Sequence, residues 1–441
     1  MTRRTGRRLI RGVRWKYVLL PLSVVWLITF VEKINVSLVI ADKGFLSQTQ
    51  LAGHQAVLGT IAGIFLLSYG VSMFGWGLAC DRWGARRVLL AAALIWAISE
   101  AGFASSHSLW QLIAARLLLG VGEGFAFPVS LTLTQRWFPD RERSFANGLW
   151  IQGANVGAVF VMPAFAVMTV DIGWWAPFWT LAGASLLIGI YFVWAYRDDP
   201  AQDDRVTEEE RRLIASDPGT RPEHADKGLR SILWMGRFWL IFGMNTCTVL
   251  LVWGLTTWIP SFLVQVKHVD LKQAGLLGAA PFIVALVTQP LGGYLQSRFG
   301  RRALQAFVLA AISFVTLWIG LGVQNAVLAA FLLGCGYGFQ VVNGPVTANA
   351  LLYTVTPVRS IGKVGGFMQG LSQVVSFFGP FGAGILIHAA GGQFTGAFAM
   401  MLAFLLCQMI FALALHRLHL DDPARAPKGH EYTLSDAAAG P

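Results

Sequence analysis

The feature that most constrains this chain is a series of apolar segments, each long enough to cross a lipid bilayer as a helix. A span needs about 20 mostly apolar residues, because a helix rises only about 1.5 Å per residue. The segments form two sets on either side of one long polar stretch. We therefore predict an all-α membrane protein with twelve transmembrane helices in two pseudo-symmetric six-helix bundles. The predicted spans, numbered in chain order, cover residues 17–41, 57–80, 88–106, 109–137, 143–169, 173–196, 237–264, 272–297, 302–322, 326–355, 361–390 and 393–416.

The composition agrees with a bilayer environment. Of the 441 residues, 55% are hydrophobic and only 13% are charged, whereas a soluble domain carries about 25% charged residues. The net charge of +11 could indicate a nucleic-acid partner. The basic residues nevertheless lie in short runs between apolar segments, a pattern that more often reflects membrane topology. We therefore predict no nucleic-acid binding.

The positions of the basic residues predict the orientation of the chain. With the spans numbered as above, 29 of the 34 Lys and Arg residues fall on the side that carries both termini. The positive-inside rule places that side in the cytoplasm. The predicted organisation is then a cytoplasmic tail (1–16), a first six-helix bundle (17–196), a cytoplasmic linker (197–236), a second bundle (237–416) and a cytoplasmic tail (417–441).

The linker contains one helix signal. Thr207 and Glu210 have the spacing of a capping box, which predicts a short amphipathic helix from that point. A flexible linker is the alternative interpretation. The C-terminal tail is polar and rich in Ala, Pro and Gly, so we expect it to be disordered.

The cysteines do not indicate a metal site or a disulfide framework. Four are scattered through apolar segments without a Cys-x-x-Cys or Cys/His cluster, and we interpret them as packing residues. There is also no nucleophile–base pattern or phosphate-binding loop. We therefore expect no metal, no cofactor and no enzymatic activity.

A loop pattern occurs twice. Glycines and basic residues with the spacing G-x-x-x-(D/S)-R-x-G follow predicted span 2 and recur 216 positions later after span 8, at 293–302. The repetition indicates a duplicated six-helix unit, a common plan for transporters. Asp81 of the first copy could pair with an arginine when the cytoplasmic side of the protein closes. The glycines permit a tight turn. The predicted gating residues are Gly77, Asp81, Arg82, Gly84, Arg86 and Arg87.

Five ionisable residues lie inside apolar segments of the first half: Glu32, Lys33, Glu100, Arg116 and Glu123. Charge at bilayer depth costs a few kcal/mol per residue, so such groups are usually retained for a function. Arg116 and Glu123 are seven residues apart and share one helix face. The residue types suit a site that holds an anion and transfers protons. A structural ion-pair network is the alternative, and for Glu100 an interhelical hydrogen bond or a position at the lipid edge is favoured.

The loop pattern at 77–87 resembles the signature of the major facilitator superfamily. The segment from Arg116 to Pro128, followed by Trp137-Phe138-Pro139 and Glu142-Arg143, resembles span 4 of its anion:cation symporter family. The resemblance covers about residues 17–416. It implies bacterial relatives that carry sugar acids, tartrate or phthalate by proton symport.

The resemblance also implies residue roles. Glu32 and Glu123 would bind protons, while Lys33 and Arg116 would bind the anion. Tyr69 and Gln369 match positions that contact substrate in relatives, and Asn155 is a further polar candidate for the cavity wall. Span 1 departs from the family pattern Tyr-x-Asp-Arg-x-Asn, because it reads Phe30-Val31-Glu32-Lys33-Ile34-Asn35. Lysine lacks the bidentate geometry of arginine, so we expect a differently shaped site.

These features together predict a secondary active transporter that imports a small organic anion with protons, such as a sugar acid or an aromatic or dicarboxylic acid. We expect a monomer in the lipid bilayer of the bacterial cytoplasmic (inner) membrane. Two alternatives stay open: a drug/proton or organic-anion antiporter of the same fold, and a transporter-like sensor that does not translocate. Drug antiporters tend to carry Gly-Pro-x-x-Gly-Gly in span 5, whereas Gly157 is followed here by Ala158.

Overall fold

The computed structural model of the protein describes residues 12–215, 232–356 and 361–418. Every regular element in these ranges is a helix, and twelve helical segments are long and apolar enough to cross a membrane, which confirms the predicted spans. The first half comprises, in order, a π-helix Arg14–Leu19 and α-helices Leu20–Ile34, Val36–Val39, Lys43–Gln48, Gln55–Gly63, Phe65–Trp83, Ala85–Ala104, Leu109–Glu123, Ala126–Trp137, Asp140–Asp171 and Ala176–Ala195.

The second half follows the connecting segment, which contains a 3₁₀ turn at Pro200–Gln202 and an α-helix at Glu208–Ala215. Its α-helices, with one π-helical stretch at Asn343–Ala348, are Gly236–Gln265, Leu271–Leu277, Ala280–Phe299, Arg302–Gly322, Ala326–Val342, Asn349–Val355, Ile361–Ser376, Phe378–Ala389 and Thr395–Arg417. Predicted elements in 1–11, 216–231 and 419–441 lie outside the described residues.

Several spans are interrupted, and the break of span 2 has a counterpart in span 8. Span 2 is broken between Gly63 and Phe65, and span 8 between Leu277 and Ala280. These breaks agree within two residues with the 216-residue shift of the loop pattern. For this pair of spans the repeat inferred from the sequence is also visible in the helices, whereas the break of span 1 has no counterpart in the continuous helix Gly236–Gln265.

Glycines allow span 4 to lie close to its neighbours. The backbone of Gly120 contacts span 2 at Phe65 and Ser68, so closely that a side chain would collide there. A methyl group added at Gly122 would lie 2.8 Å from Trp96 of span 3. Small residues permit this approach in membranes. Span 4 is thereby held between spans 2 and 3, and its polar face is turned into the first bundle.

The side of the molecule where span 1 begins and spans 2, 4 and 6 end is called the basic side below. On the other side, termed the opposite side, the two bundles are in contact. A methyl group on Gly59 of span 2 would lie 2.6 Å from the carbonyl oxygen of Pro380 in span 11. Lys272 and Asp171 also form an ion pair of 2.6 Å between the bundles. Both side chains are about half exposed, so this pair contributes little stability.

On the basic side, a buried arginine ties the connecting segment to the first bundle. Arg14 is 3% exposed. Its Nε lies 3.0 Å from Glu142 and its Nη1 lies 2.7 Å from Glu210, which belongs to the helix Glu208–Ala215. A buried arginine with two carboxylates forms strong charge-assisted hydrogen bonds. The described part of the linker is therefore docked on the first bundle rather than extended between the two.

The capping box predicted at Thr207 is only half formed. The Thr207 hydroxyl accepts the backbone N–H of Glu210 at 3.3 Å, so the helix does begin there. The Glu210 carboxylate, however, accepts from the backbone N–H of Val13 and from Arg14 instead of turning back. The Glu210 carboxylate thus binds the beginning of span 1 instead of the backbone N–H of Thr207.

Candidate functional site: a buried charge cluster in the first bundle

The five ionisable residues singled out in the first half are all enclosed by protein. The exposed fractions are 0% for Glu32 and Glu123, 1% for Glu100 and Arg116, and 5% for Lys33. They come from spans 1, 3 and 4, and their charges interact with one another electrostatically. The term charge cluster refers to these five residues below.

Lys33 and Glu123 form the ion pair of the cluster. The Lys33 ammonium lies 2.9 Å from Oε2 of Glu123, which joins span 1 to the middle of span 4. The ammonium also lies 4.7 Å from the centre of the Tyr69 ring, a cation–π distance. Tyr69, the predicted cavity residue of span 2, is therefore brought to the site. The cation has a carboxylate and an aromatic face as its neighbours in this structure.

Glu32 lies beside Glu123. One of its oxygens accepts the Ser185 hydroxyl of span 6 at 2.7 Å, and the other finds no partner among the described residues. The Glu32 carboxyl group also interacts electrostatically with the carboxyl groups of Glu123 and Glu100. Like charges held together in a buried site repel each other, and a proton bound by one of them relieves the repulsion.

Arg116 is engaged by the backbone in this structure. Its guanidinium donates to the carbonyl oxygens of Ile61 and Ala62 in span 2 and of Glu32 and Lys33 in span 1, at 3.2–3.3 Å. It also lies 4.6 Å from the centre of the Phe65 ring. Substrate binding by Arg116 stays a prediction. Here the side chain fastens spans 1 and 2 to span 4.

The position of these carbonyls explains the contact. Glu32 and Lys33 immediately precede the break of span 1 at Asn35, and Ile61 and Ala62 precede the break of span 2. Carbonyl groups at a helix end lack part of their intrahelical hydrogen bonding. A buried cation with several planar donors is well suited to satisfy them. Glu32 and Lys33 themselves lie in the last turn of the helix Leu20–Ile34.

Glu100 of span 3 belongs to the charge cluster, which the sequence analysis did not anticipate. Its 1% exposure excludes the lipid-edge position considered above. The carboxyl group interacts electrostatically with Arg116, Glu123 and Glu32, and its Oε2 has no hydrogen-bond partner among the described residues. The cluster therefore contains three carboxyl groups and two cations.

An aromatic layer separates the charge cluster from the second bundle. Phe30 of span 1, three residues before Lys33, packs on Phe282 at 5.6 Å and on Trp253 at 6.4 Å between ring centres. Trp253 also contacts Phe65 at 5.4 Å. The phenyl ring of Phe30, where the family pattern has a tyrosine, contributes no hydroxyl group here. The contact between the bundles is made by aromatic rings at this level.

Asn155 and Gln369, two of the residues predicted to bind the substrate, form hydrogen bonds with side chains of other spans. The Asn155 amide of span 5 donates to Gln289 of span 8 at 3.1 Å, so it joins the two bundles. Gln369 of span 11 accepts from Asn245 of span 7 at 3.5 Å, a contact within the second bundle. Neither residue contacts the charge cluster in the described interactions. Their assignment as substrate-binding residues stays a prediction.

The predicted gating residues are only partly described. The Asp81 side chain lies outside the described structure. Gly84 has a φ of 81°, and it ends one helix and begins the next. The backbone N–H of Arg86 donates to Asp198 at 3.0 Å, and its guanidinium contacts the Val193 carbonyl of span 6. These described contacts stay within the first bundle, so a gating role stays a prediction.

Two features of the site carry no sequence signal of their own. The partners of Arg116 are backbone carbonyls, which any residue provides. Ser185 is one of three hydroxyl residues in the largely apolar span 6, with Thr180 and Tyr191. A lone serine there is compatible with helix packing and gives no reason to select it.

Known proteins with similar sequences are transporters by name. The chain is 27% identical over 385 residues to the probable sulfoacetate transporter SauU of Cupriavidus necator, covering 84% of this chain and 86% of that protein. It is 23% identical to the hexuronate transporter of Bacillus subtilis, covering 87% and 90%. The probable anion transporter 2 of rice chloroplasts is 30% identical over 56% of this chain and 46% of its own length.

The fold comparison agrees. A bacterial homologue of the human lysosomal transporter Spinster, solved in an inward-facing and occupied conformation, superposes with a TM-score of 0.72 at 16% identity. The match covers 94% of this chain and 99% of that structure, and at this identity it supports the fold alone. The family model of the Major Facilitator Superfamily matches residues 25–380. The chain is a multi-pass membrane protein that belongs to the Major Facilitator Superfamily.

Proposed function

We propose that this protein is a secondary active transporter that imports a small organic anion together with protons. The observation that carries the proposal is the ion pair between Lys33 and Glu123, with the carboxyl group of Glu32 beside it. Protonation of Glu123 removes the negative partner of Lys33. The ammonium then requires another anion, because an unpaired charge in a dry site is costly.

Charge balance gives the coupling its direction. With all groups ionised, the charge cluster of three carboxylates and two cations has a net charge of −1, and burial favours at least one bound proton. That state is neutral and has no place for a further anion. Each additional proton adds one positive charge, which one negative charge of the substrate neutralises. We infer that the number of coupled protons equals the charge of the substrate.

The chemistry of Lys33 suggests the substrate class. An ammonium is a compact charge with three donors and does not demand a planar partner, unlike a guanidinium. It accepts a tetrahedral sulfonate as readily as a carboxylate. Similarity to proteins named as sulfoacetate, hexuronate and anion transporters supports small organic acids of these two kinds.

The basic side is assigned to the cytoplasm in this proposal. The positive-inside rule supports the assignment, since spans on that side carry Arg14, Arg86 and Arg197 at their ends. In import, the substrate then enters on the opposite side, where Gly59 contacts Pro380, and leaves on the basic side. The bacterial inner membrane is the expected location.

Uptake into proteoliposomes tests the proposal. We expect at least one labelled organic acid, from a set of sulfonates, hexuronates, aromatic acids and dicarboxylates, to accumulate when the outside is acidic. A protonophore should abolish this accumulation. The fully esterified form of the same acid, which has no charge, should not accumulate above its outside concentration. Accumulation of an organic cation in exchange for protons, or acid uptake unaffected by the proton gradient, would contradict the proposal.

A further inference from the structure

A groove on the outer surface of the first bundle has the properties of a phospholipid site. It lies on the basic side, between the end of span 6 and the beginning of span 3. Two lobes of about 520 and 470 Å³ share Arg86, Leu90 and Val193. Both helices supply residues at helical spacing, so each presents one continuous face to the groove. The lining residues used below are Arg86, Arg87 and Leu90 of span 3, with Ile190, Trp194 and Arg197 of span 6 and its end.

The groove changes from charged to apolar with depth. Arg86 and Arg87 stand at the beginning of span 3, and Leu90 lies one helical turn farther into the membrane. Span 6 runs the other way, so that Ile190 lies about 10 Å deeper than Arg197 along the helix. Gly189 and Ala93 approach closely at the next turn and bound the groove there. A charged rim above an apolar wall matches a phosphate head group above its acyl chains.

Positive charge dominates the rim. Arg87 has no hydrogen bond or ion pair among the described contacts. In the described structure the Arg86 and Arg197 guanidinium groups donate to backbone carbonyl oxygens. Asp198 also lines one lobe, but its carboxylate accepts the backbone N–H of Arg86 and caps the beginning of span 3. The rim therefore holds three arginines and one carboxylate.

Two tryptophans mark the depth of the groove. Trp194 is 81% exposed and Trp83 is 55% exposed, and both line it. Tryptophan side chains of this kind are enriched at the level of the lipid head groups. Basic pockets between spans on this side of a membrane bind anionic head groups. A free anion would not require the apolar wall or the exposed indoles.

We propose that this groove binds one anionic phospholipid of the leaflet on the basic side, with its phosphate at Arg86, Arg87 and Arg197 and its chains along Leu90, Ile190 and Trp194. The site lies outside the charge cluster and does not depend on the transported substrate. It also gives the arginines of the repeated loop pattern a partner in the membrane. Lipid bound there would hold spans 3 and 6 together at the basic side.

Lipid titration of the purified full-length protein tests the proposal. Phosphatidylglycerol retained by the protein is counted by native mass spectrometry, with phosphatidylcholine and inorganic phosphate as comparisons. Each basic residue near a membrane surface strengthens binding of anionic lipid by about fivefold. We therefore expect Arg197→Gln to weaken phosphatidylglycerol binding about fivefold, and Arg87→Gln combined with Arg197→Gln about 25-fold.

The controls separate the possible sources of binding. Arg237→Gln removes an exposed arginine at the beginning of span 7 and should change binding less than twofold. If Arg197→Gln does not fold, Trp194→Ala tests the same groove through its most exposed lining residue. Equal retention of phosphatidylcholine, or equal losses in the Arg197 and Arg237 variants, would overturn the proposal. Displacement of the lipid by millimolar phosphate would assign the rim to a free anion instead.

Discussion

Glu123→Gln is expected to abolish proton-driven accumulation of the substrate while exchange of substrate across the membrane continues. The glutamine keeps the shape of the side chain but stays neutral, so it imitates the protonated state of Glu123. Lys33, now without its partner at 2.9 Å, remains available to the anion. The carrier can then bind and release substrate but cannot gain and lose the coupled proton. Measurement of net uptake and counterflow in the same proteoliposomes separates the two activities.

The matched control for this variant is Glu208→Gln. Glu208 is also a glutamate in an ion pair, with Arg212, but its side chain is 67% exposed on the connecting segment. Such a pair contributes little, so uptake should equal that of the wild type. Wild-type accumulation by the Glu123 variant would show that this carboxyl group is not required for coupling.

Arg116→Ala is expected to lower the melting temperature strongly and to abolish substrate binding. The substitution leaves four buried carbonyl groups of spans 1 and 2 without their donor. An unsatisfied buried group costs about 1–3 kcal/mol. We expect the helix breaks next to these carbonyl groups to rearrange, and Glu32 and Lys33 to move with them. Thermal unfolding of the purified variant, with and without substrate, measures both effects.

Arg302→Ala is the control for the loss of stability. Arg302 also donates to a backbone carbonyl, that of Ala350, but through one contact at 3.1 Å. Its removal should lower the melting temperature much less. We expect Arg116→Lys to fail as well, since a single ammonium cannot reach four carbonyls in two helices. An Arg116→Ala variant that unfolds at the wild-type temperature and loses only substrate affinity would assign this arginine to the substrate rather than to the helix breaks.

The fold could be predicted from the sequence because the bilayer leaves few alternatives. Apolar length, the alternating placement of arginines and the loop pattern at Gly77 and Gly293 each point to two bundles of six spans. The helix breaks were not predictable in this way. The carbonyl groups before the break at Asn35 are bound by Arg116, which is 81 positions away from Asn35 in the chain.

The candidate site was predictable only where charge or spacing gave a signal. Arg116 and Glu123 share a face because they are seven residues apart, and their burial agrees with that interpretation. The location of Glu100 was missed because span 3 is apolar on all sides, so its pattern does not show which face turns inward. Arg14, Glu142 and Glu210 form their contact across 128 and 196 positions, a separation at which sequence spacing carries no information.

The claim at the centre of this account is that the charge cluster gains protons as it binds an anion. Calorimetric titration of the purified protein with its substrate, repeated in buffers of different ionisation enthalpy, counts the protons taken up in the binding step. We expect about one proton per negative charge of the substrate at neutral pH, and fewer in Glu123→Gln. A binding enthalpy that does not depend on the buffer would mean that no proton is taken up, and would contradict the account.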